Sequence, residues 1–270
     1  MDRNSYIGVF DSGIGGLTVA KEIMESLPNE LIVYFGDTAH VPYGSRSKRQ
    51  ITQYVLSDVK FLSRFEIKAV VIACNTADSV AREAVEEAYP HLPVFGVVAP
   101  ASRMAATQSK NGKIGVIATK ATVASKAYDR AIAKINPQAQ VISQACPLLV
   151  PLVENGRFQA GDPVTQLVVR EYLDPMVDQG IDTLILGCTH YPLLMDIIQE
   201  NYPDLQLISS SGAAAQALRE SLEKDDMLSN ETGGRHRFFV SDDAAGVADV
   251  ARLFMRRELR INVEQVDVDV

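Results

Sequence analysis

The chain has 270 residues, of which 47% are hydrophobic and 22% are charged, so it can bury a large core and is long enough for about two domains. Its net charge of −8 and the lack of a Lys/Arg cluster argue against nucleic acid as a partner. The sequence contains no apolar run of membrane-spanning length and opens with no signal sequence, so we expect no membrane association and a cytoplasmic location.

The three cysteines, Cys74, Cys146 and Cys188, are an odd number in a chain without an export signal, so we expect free thiols in a reducing compartment. None belongs to a Cys-x-x-Cys pair, and a zinc ribbon or a thioredoxin-like site therefore has no support. Cys146 precedes Pro147 and has no acidic or basic neighbour, so we predict a structural role for it.

The first predicted strand covers residues 6–10 and runs into a glycine-rich turn that begins with Asp11 and Ser12. The glycines allow a tight turn and a close approach of the backbone to a neighbour. The turn lacks the third glycine of a dinucleotide-binding fingerprint and the Gly-Lys-Ser/Thr of a P-loop. A phosphate-binding interpretation therefore has little support.

The second and third predicted strands also end in candidate site residues. The second strand, residues 31–35, leads into a long loop that carries Tyr43 and Gly44. Such loops at the carboxyl ends of strands commonly line ligand sites. The third strand, residues 69–73, ends at Cys74 and is followed at once by a helical pattern.

The second half of the chain repeats this order. Residues 113–119 form an Ile-Gly-Val strand like the first, and residues 139–145 form a strand followed by a long loop that holds Glu154. Residues 183–187 then form a strand that ends at Cys188. The shared order of three strands favours two similar halves that each contribute one cysteine.

These elements predict an α/β fold with two similar domains, each a mainly parallel sheet flanked by helices, and an active site in the cleft between them. A fourth strand is predicted over residues 94–99, with Pro100 marking the crossover to the second domain. We expect the first domain to comprise residues 1–98 and 209–270, because the tail carries no third cysteine motif and should pack back on the first half. Residues 99–208 form the expected second domain.

Two thiols that face one space suit the removal and return of a proton on opposite faces of one carbon atom. Cys74 and Cys188 would be the acid and the base, while Asp11 and His190 could orient the thiols or hold their protons. Short polar side chains at helix N-termini, with the backbone N–H groups there, can bind substrate carboxylates without Arg. The predicted members of this set are Ser12, Asn75, Thr76, Thr119, Thr122 and Thr189.

Four short motifs occur in order along the chain. They are Asp11-Ser-Gly-Ile-Gly-Gly-Leu-Thr-Val19, Gly36-Asp-Thr-Ala-His-Val-Pro-Tyr-Gly44, Ala73-Cys-Asn-Thr76 and Gly187-Cys-Thr-His-Tyr-Pro192. Together they closely resemble the motifs of the glutamate racemases, which belong to the aspartate/glutamate racemase family. The related aspartate racemases carry Glu at the position of His190, and this difference favours glutamate as the substrate.

The resemblance implies the cofactor-independent interconversion of L- and D-glutamate, which supplies D-glutamate for peptidoglycan. It implies that Cys74 acts on the D-isomer and Cys188 on the L-isomer, with Asp11 and His190 as their assistants. We expect no metal ion in the site. The substrate-binding residues that the resemblance implies are Ser12, Tyr43, Gly44, Asn75, Thr76, Thr119, Thr122, Glu154 and Thr189.

Two other functions stay open from the residues alone. A zinc enzyme could use Cys74, Cys188, His190 and Asp11 as ligands, although no local pair has the usual spacing. A two-domain amino-acid binding protein could close on a carboxylate, although it would have no use for paired thiols. The sequence also leaves open whether the protein forms a homodimer.

Overall fold

The structure, a computed structural model, describes residues 2–231, 233–255 and 262–268. Its strands are β1 Tyr6–Asp11, β2 Ile32–Gly36, β3 Ile67–Ile72, β4 Val94–Gly96, β5 Lys113–Ala118, β6 Gln140–Ala145, β7 Thr183–Gly187, β8 Gln206–Ser209, β9 Arg237–Val240 and β10 Val263–Gln265. Its helices are α1 Leu17–Ser26, α2 Lys48–Leu62, α3 Asn75–Ala88, α4 Val98–Gln108, α5 Lys120–Ser125, α6 Ala127–Ile135, α7 Leu149–Glu154, α8 Pro163–Val177, α9 Met195–Asn201, α10 Ser210–Lys224 and α11 Ala244–Met255.

The strands form two separate sheets in which every described pair is parallel. The first sheet has the order β10-β9-β2-β1-β3-β4, and the second has the order β6-β5-β7-β8. Asp11, the last residue of β1, pairs with Gly36, and Gly187, the last residue of β7, pairs with Ala118 of β5. The carboxyl ends of neighbouring strands therefore meet at one edge of each sheet, where open α/β sheets bind ligands.

Burial explains why these segments form strands and helices. The central strands β1, β3 and β7 are runs of apolar residues that are almost wholly buried, as expected for parallel strands covered on both faces. The amphipathic helix α2 begins after Ser47, whose hydroxyl accepts a hydrogen bond from the Gln50 N–H. It turns Ile51, Val55 and Val59 to the core.

The predicted α/β fold with two helix-flanked, mainly parallel sheets is confirmed. Two local predictions are wrong. The fourth strand ends at Gly96 because α4 begins at Val98, and Pro100 lies in the first turn of α4, where its missing N–H costs no helical hydrogen bond. The loop predicted around Glu154 contains α7.

The tail of the chain returns to the first sheet, where β9 pairs with β2. The limit between residues 98 and 99 falls in the first turn of α4, and the limit between 208 and 209 falls at the last residue of β8. We propose residues 1–98 with 209–270, and residues 99–208, as the two domains; residues 1, 232, 256–261 and 269–270 of the first domain lie outside the described residues. Within the described ranges, no helix has the length and the hydropathy that a membrane crossing needs.

Candidate active site

A cavity of about 370 Å³ lies where the strand ends of the two sheets face each other. Every residue that the sequence predicted for the site lines this cavity except Thr122. The predicted residues in its wall are Asp11, Ser12, Tyr43, Gly44, Cys74, Asn75, Thr76, Thr119, Glu154, Cys188, Thr189 and His190. Both thiols therefore open onto the same cavity.

Cys74 stands between β3 and α3, as the residue that precedes the first turn of the helix. Its side chain is 5% exposed, and its Sγ donates to Ser12 Oγ at 3.4 Å. Burial raises the pKa of the Cys74 thiol to about 12, and the negative charge of Asp11 adds to this rise. Cys74 is therefore a neutral thiol at pH 7 in the ligand-free protein.

Cys188 follows β7, and its partner is the imidazole two residues later. Cys188 Sγ lies 3.9 Å from His190 Nδ1, while His190 Nε2 lies 3.0 Å from Glu154 Oε1. Burial lowers the pKa of His190, but its interactions with Cys188 and Glu154 outweigh burial and raise that pKa to about 10. A protonated His190 donates from both ring nitrogens, so it can hold Cys188 on one side and Glu154 on the other.

Asp11 is buried between the two cysteine motifs. Its carboxylate accepts a hydrogen bond from the Gly13 N–H at 3.0 Å and one from Thr189 Oγ1 at 3.4 Å. Burial raises the pKa of Asp11, whereas the charge of His190 and the N–H donors of the turn lower it. Asp11 thus joins the end of the first sheet to the Cys188 motif and acts on Cys74 through its charge.

The glycine-rich turn after β1 packs directly on the Cys188 motif. A Cβ atom added at Gly15 would lie 2.6 Å from His190 Nδ1 and would also collide with Thr189 Oγ1. The backbone can approach this closely only because Gly15 has no side chain. The glycines therefore serve the contact between the two halves of the site.

Three threonine hydroxyls meet across the cavity wall. Thr76 Oγ1 lies 2.9 Å from Thr119 Oγ1 and 3.3 Å from Thr122 Oγ1, and the last two atoms are 3.0 Å apart. Thr76 belongs to the first turn of α3, and Thr119 is the N-cap residue of α5. This places neutral donors at two helix N-termini, an arrangement that suits a carboxylate. Thr122, absent from the cavity wall, contacts it through the other two hydroxyls.

Tyr43 lines the cavity, but its hydroxyl is directed into a buried acidic pair. The hydroxyl donates to Asp37 Oδ2 at 2.6 Å and lies 3.1 Å from Asp58 Oδ2. Burial raises the pKa of Asp58 well above its ordinary value, and the nearby Asp37 adds to the rise. One hydroxyl proton cannot serve two carboxylates, so a protonated Asp58 donates to Tyr43, which donates to Asp37.

From the sequence, neither Asp37 nor Asp58 was named as a site residue. A signal for Asp58 exists, because it lies three residues after Val55 and seven after Ile51, on the apolar stripe of α2. Tyr128 and Ser210, which bind the side chain of Asn75, were also missed and carry no local signal.

Cys146 lines the cavity as well, and its Sγ contacts the carbonyl oxygen of Gln144 at 3.6 Å. Burial raises the pKa of its thiol.

Among the residues with described positions, no group of three or more His, Cys, Asp and Glu side chains is arranged to hold a metal ion. The geometry therefore lends no support to the alternative in which Cys74, Cys188, His190 and Asp11 bind zinc.

Comparisons with known proteins give the family of the chain. The sequence profile of the Asp/Glu/Hydantoin racemase family matches residues 7–218. The chain is 44% identical to the glutamate racemase of Geobacter metallireducens, over 97% of each chain. It is 45% identical to the glutamate racemase of Syntrophus aciditrophicus, over 99% of this chain and 100% of that one.

Two solved structures extend the comparison to the fold. Glutamate racemase isoform RacE1 of Bacillus anthracis superposes with a TM-score of 0.93, at 40% identity over 98% of each chain. The glutamate racemase of Francisella tularensis, solved in complex with D-glutamate, superposes with a TM-score of 0.91, at 38% identity over 99% of each chain. By sequence and by fold, this chain belongs to the Asp/Glu/Hydantoin racemase family, and it is an enzyme of the racemase class.

Proposed function

We propose that this enzyme interconverts L- and D-glutamate without a cofactor, with Cys74 and Cys188 as the two acid/base groups. The observation that carries the proposal is the pair of buried thiols, one at a strand end of each sheet, in the wall of one cavity. Relatives at 44% and 45% identity are glutamate racemases, and a structural relative binds D-glutamate, which supports glutamate as the substrate.

In the proposed reaction, a thiolate removes the Cα proton from one face of glutamate, and the opposite thiol gives its proton to the other face. With D-glutamate, Cys74 forms a new S–H bond while that of Cys188 breaks; with L-glutamate the roles are reversed. Between the two proton transfers, the negative charge lies on the enolate of the substrate. Two groups are needed because a single base would return the proton to the face from which it came.

We propose that the substrate carboxylates are bound by neutral donors around the cavity. The residues assigned to this role are Ser12, Gly44, Asn75, Thr76, Thr119 and Thr189, supported by Tyr43, whose hydroxyl is held by Asp37, and by Thr122, which acts through Thr76 and Thr119. Asp11 would place a negative charge near Cys74, and a protonated His190 would place a positive charge near Cys188. Glu154 contacts His190, and we propose that it acts on the substrate through that side chain.

The family resemblance supports a wider role, in which the enzyme works in the cytoplasm and supplies D-glutamate for peptidoglycan synthesis. We also propose that the protein forms a homodimer. Light scattering of the purified protein would test this.

The test incubates purified enzyme with L-glutamate in D₂O without added cofactor. We expect the circular dichroism of glutamate to decay to zero and deuterium to appear at Cα. An unchanged signal contradicts the proposal, and thermal stabilisation by glutamate without exchange would favour a binding protein. A parallel sample treated with a chelator tests the zinc alternative, which predicts loss of activity there.

A further inference from the structure

Two adjacent serines at the start of α10, Ser210 and Ser211, are buried; Ser210 is hydrogen-bonded beside both cysteines, and Ser211 reaches the Cys188 motif through Thr18. We propose that they are positioning residues that hold the motifs of Cys74 and Cys188 in a fixed relative placement. The inference rests on the proposed two-thiol racemase, and it assigns a role to a helix end that touches neither thiol.

Ser210 joins the second sheet to the helix behind Cys74. Its hydroxyl donates to the carbonyl oxygen of Leu186 at 3.0 Å, two residues before Cys188. Ser210 Oγ in turn accepts a hydrogen bond at 3.3 Å from Nδ2 of Asn75, the residue that follows Cys74. A single buried hydroxyl therefore connects the backbone near one thiol with the side chain next to the other.

The amide of Asn75 is held at its other end as well. Tyr128, on α6, donates its hydroxyl to Asn75 Oδ1 at 2.5 Å. Because Ser210 donates its hydroxyl proton to the Leu186 carbonyl oxygen, Ser210 Oγ can only accept from Asn75. The Nδ2 group of Asn75 is therefore the donor to Ser210, and Oδ1 is the acceptor from Tyr128. Tyr128, Asn75 and Ser210 are each 2% exposed or less, so these bonds are shielded from water.

Ser211 makes the corresponding connection on the Asp11 side. Its Oγ lies 3.0 Å from Thr18 Oγ1. Thr18 Oγ1 in turn lies 2.9 Å from the carbonyl oxygen of Gly15 and 3.0 Å from that of Thr189. Because Thr18 has one proton for two carbonyls, Ser211 is the donor between the two hydroxyls.

Ser210 thus bonds to segments within two residues of Cys74 and Cys188, and Ser211 connects through Thr18 to Thr189 and to the glycine turn that follows Asp11. Proton transfer to and from one carbon needs both thiols aligned on opposite faces, and errors below 1 Å slow such reactions strongly. Removing either hydroxyl should therefore slow proton transfer; Asn75, which is itself assigned to substrate binding, keeps its bond to Tyr128 when the Ser210 hydroxyl is removed.

Three consecutive serines provide a matched experiment. Ser209 is the N-cap residue of α10, where its Oγ accepts from the Gly212 N–H at 3.4 Å, and its hydroxyl bonds to neither motif. We expect Ser210→Ala and Ser211→Ala to lower kcat for glutamate racemisation by about tenfold to a hundredfold, with KM changed less than about twofold. Ser209→Ala should lower Tm through the lost cap and leave kcat unchanged.

Tyr128→Phe tests the inference even if a serine variant misfolds. It keeps the ring and removes only the hydroxyl that donates to Asn75. It should lower kcat in the same way, with Tm measured in parallel. A change confined to Tm in all the serine variants, or a rise in KM at constant kcat, would overturn the inference. Wild-type enzyme that fails to racemise glutamate would instead overturn the proposed function, so the two failures are distinguishable.

Discussion

The two thiols differ in the groups that share their protons. Cys74 donates to the neutral hydroxyl of Ser12 beside the negative Asp11, whereas Cys188 faces the protonated imidazole of His190. The protonated His190 gives Cys188 a charged hydrogen-bond donor, while Cys74 rests as a thiol. In the proposed reaction, the Cys74 thiol is the group that gives its proton when L-glutamate is the substrate.

Asp58 offers a test of the buried pair behind Tyr43. Native Asp58 keeps its proton at pH values where the unfolded chain has lost it, so this residue makes wild-type stability fall as pH rises above about 4. Asp58→Asn removes the titration and can still donate to Tyr43. The free energy of unfolding of the variant, relative to wild type, should rise between pH 5 and 8 by up to about 1.4 kcal/mol per pH unit.

Urea unfolding at pH 5, 6.5 and 8 measures this difference. A stability difference that stays constant across the range would mean that Asp58 is ionised in the native protein. The pH trend separates this outcome from a constant offset caused by the altered hydrogen bond to Tyr43.

At the residue level, the sequence predicted side chains that belong to local motifs and missed those that act across the fold. Cys74, Cys188 and His190 follow strands, so the direction of the chain alone places them at a sheet edge. Ser210 and Tyr128 lie in helices far away in sequence, and only the packing of α10 and α6 brings them to Asn75.

At the level of elements, the glycine turn after β1 is the part that joins the two halves of the site most closely. Gly15→Ala would place a methyl group against Thr189 and His190, both of which are buried. We expect kcat/KM for glutamate to fall by about a hundredfold because His190 must move. The loss of stability should be about 1–3 kcal/mol, as for overpacking elsewhere.

Gly212→Ala in α10 is the matched control, because its added Cβ would meet its nearest neighbour, Glu22, at 3.9 Å. This variant should keep its activity and gain stability by about 0.4–1 kcal/mol. Equal activity in the two alanine variants would show that the close approach at Gly15 is not required. Steady-state kinetics and thermal unfolding of both proteins decide between the outcomes.

The elements that the sequence predicted well are those with a local signal. Strands β1, β3, β5 and β7 are buried and mostly apolar runs bounded by polar turns, and the structure places all four in the interior of the two sheets, away from their edges. The end of β4 was wrong because a tertiary contact decides it: Asp78 Oδ2 accepts the Val98 N–H at 2.8 Å at the first residue of α4. No pattern of period two or 3.6 reports such a contact.

At the level of the whole molecule, the two ends of the first sheet have different roles. One end lines the cavity, and the opposite end carries a buried ion pair that stabilises the fold. Lys68 and Glu30 lie at the amino ends of the strands, opposite the cavity, with Lys68 Nζ 2.6 Å from Glu30 Oε2 and both side chains at most 2% exposed. Lys68 also donates to the carbonyl oxygens of Arg3 and Met227, the latter at 2.8 Å. The pair thus ties the start of the chain to the segment after α10.

Lys68→Met should lower the free energy of unfolding by about 3–5 kcal/mol, because it leaves the Glu30 carboxylate buried without its cation. Lys68→Met combined with Glu30→Gln should lose less, since no charge is left unpaired. Below the unfolding transition, both variants should keep the wild-type kcat/KM. A large loss of kcat/KM in the folded double variant would contradict the view that this ion pair stabilises the fold and plays no part in the reaction.

The need for both thiols is tested most directly by circular dichroism of L- and D-glutamate with wild type, Cys74→Ala and Cys188→Ala, and with Cys146→Ala as the control. Wild type and Cys146→Ala should bring either isomer to zero ellipticity without added cofactor. Each of the other two variants should racemise at least about a thousandfold more slowly. Racemisation at the wild-type rate by either Cys74→Ala or Cys188→Ala would contradict the two-thiol mechanism.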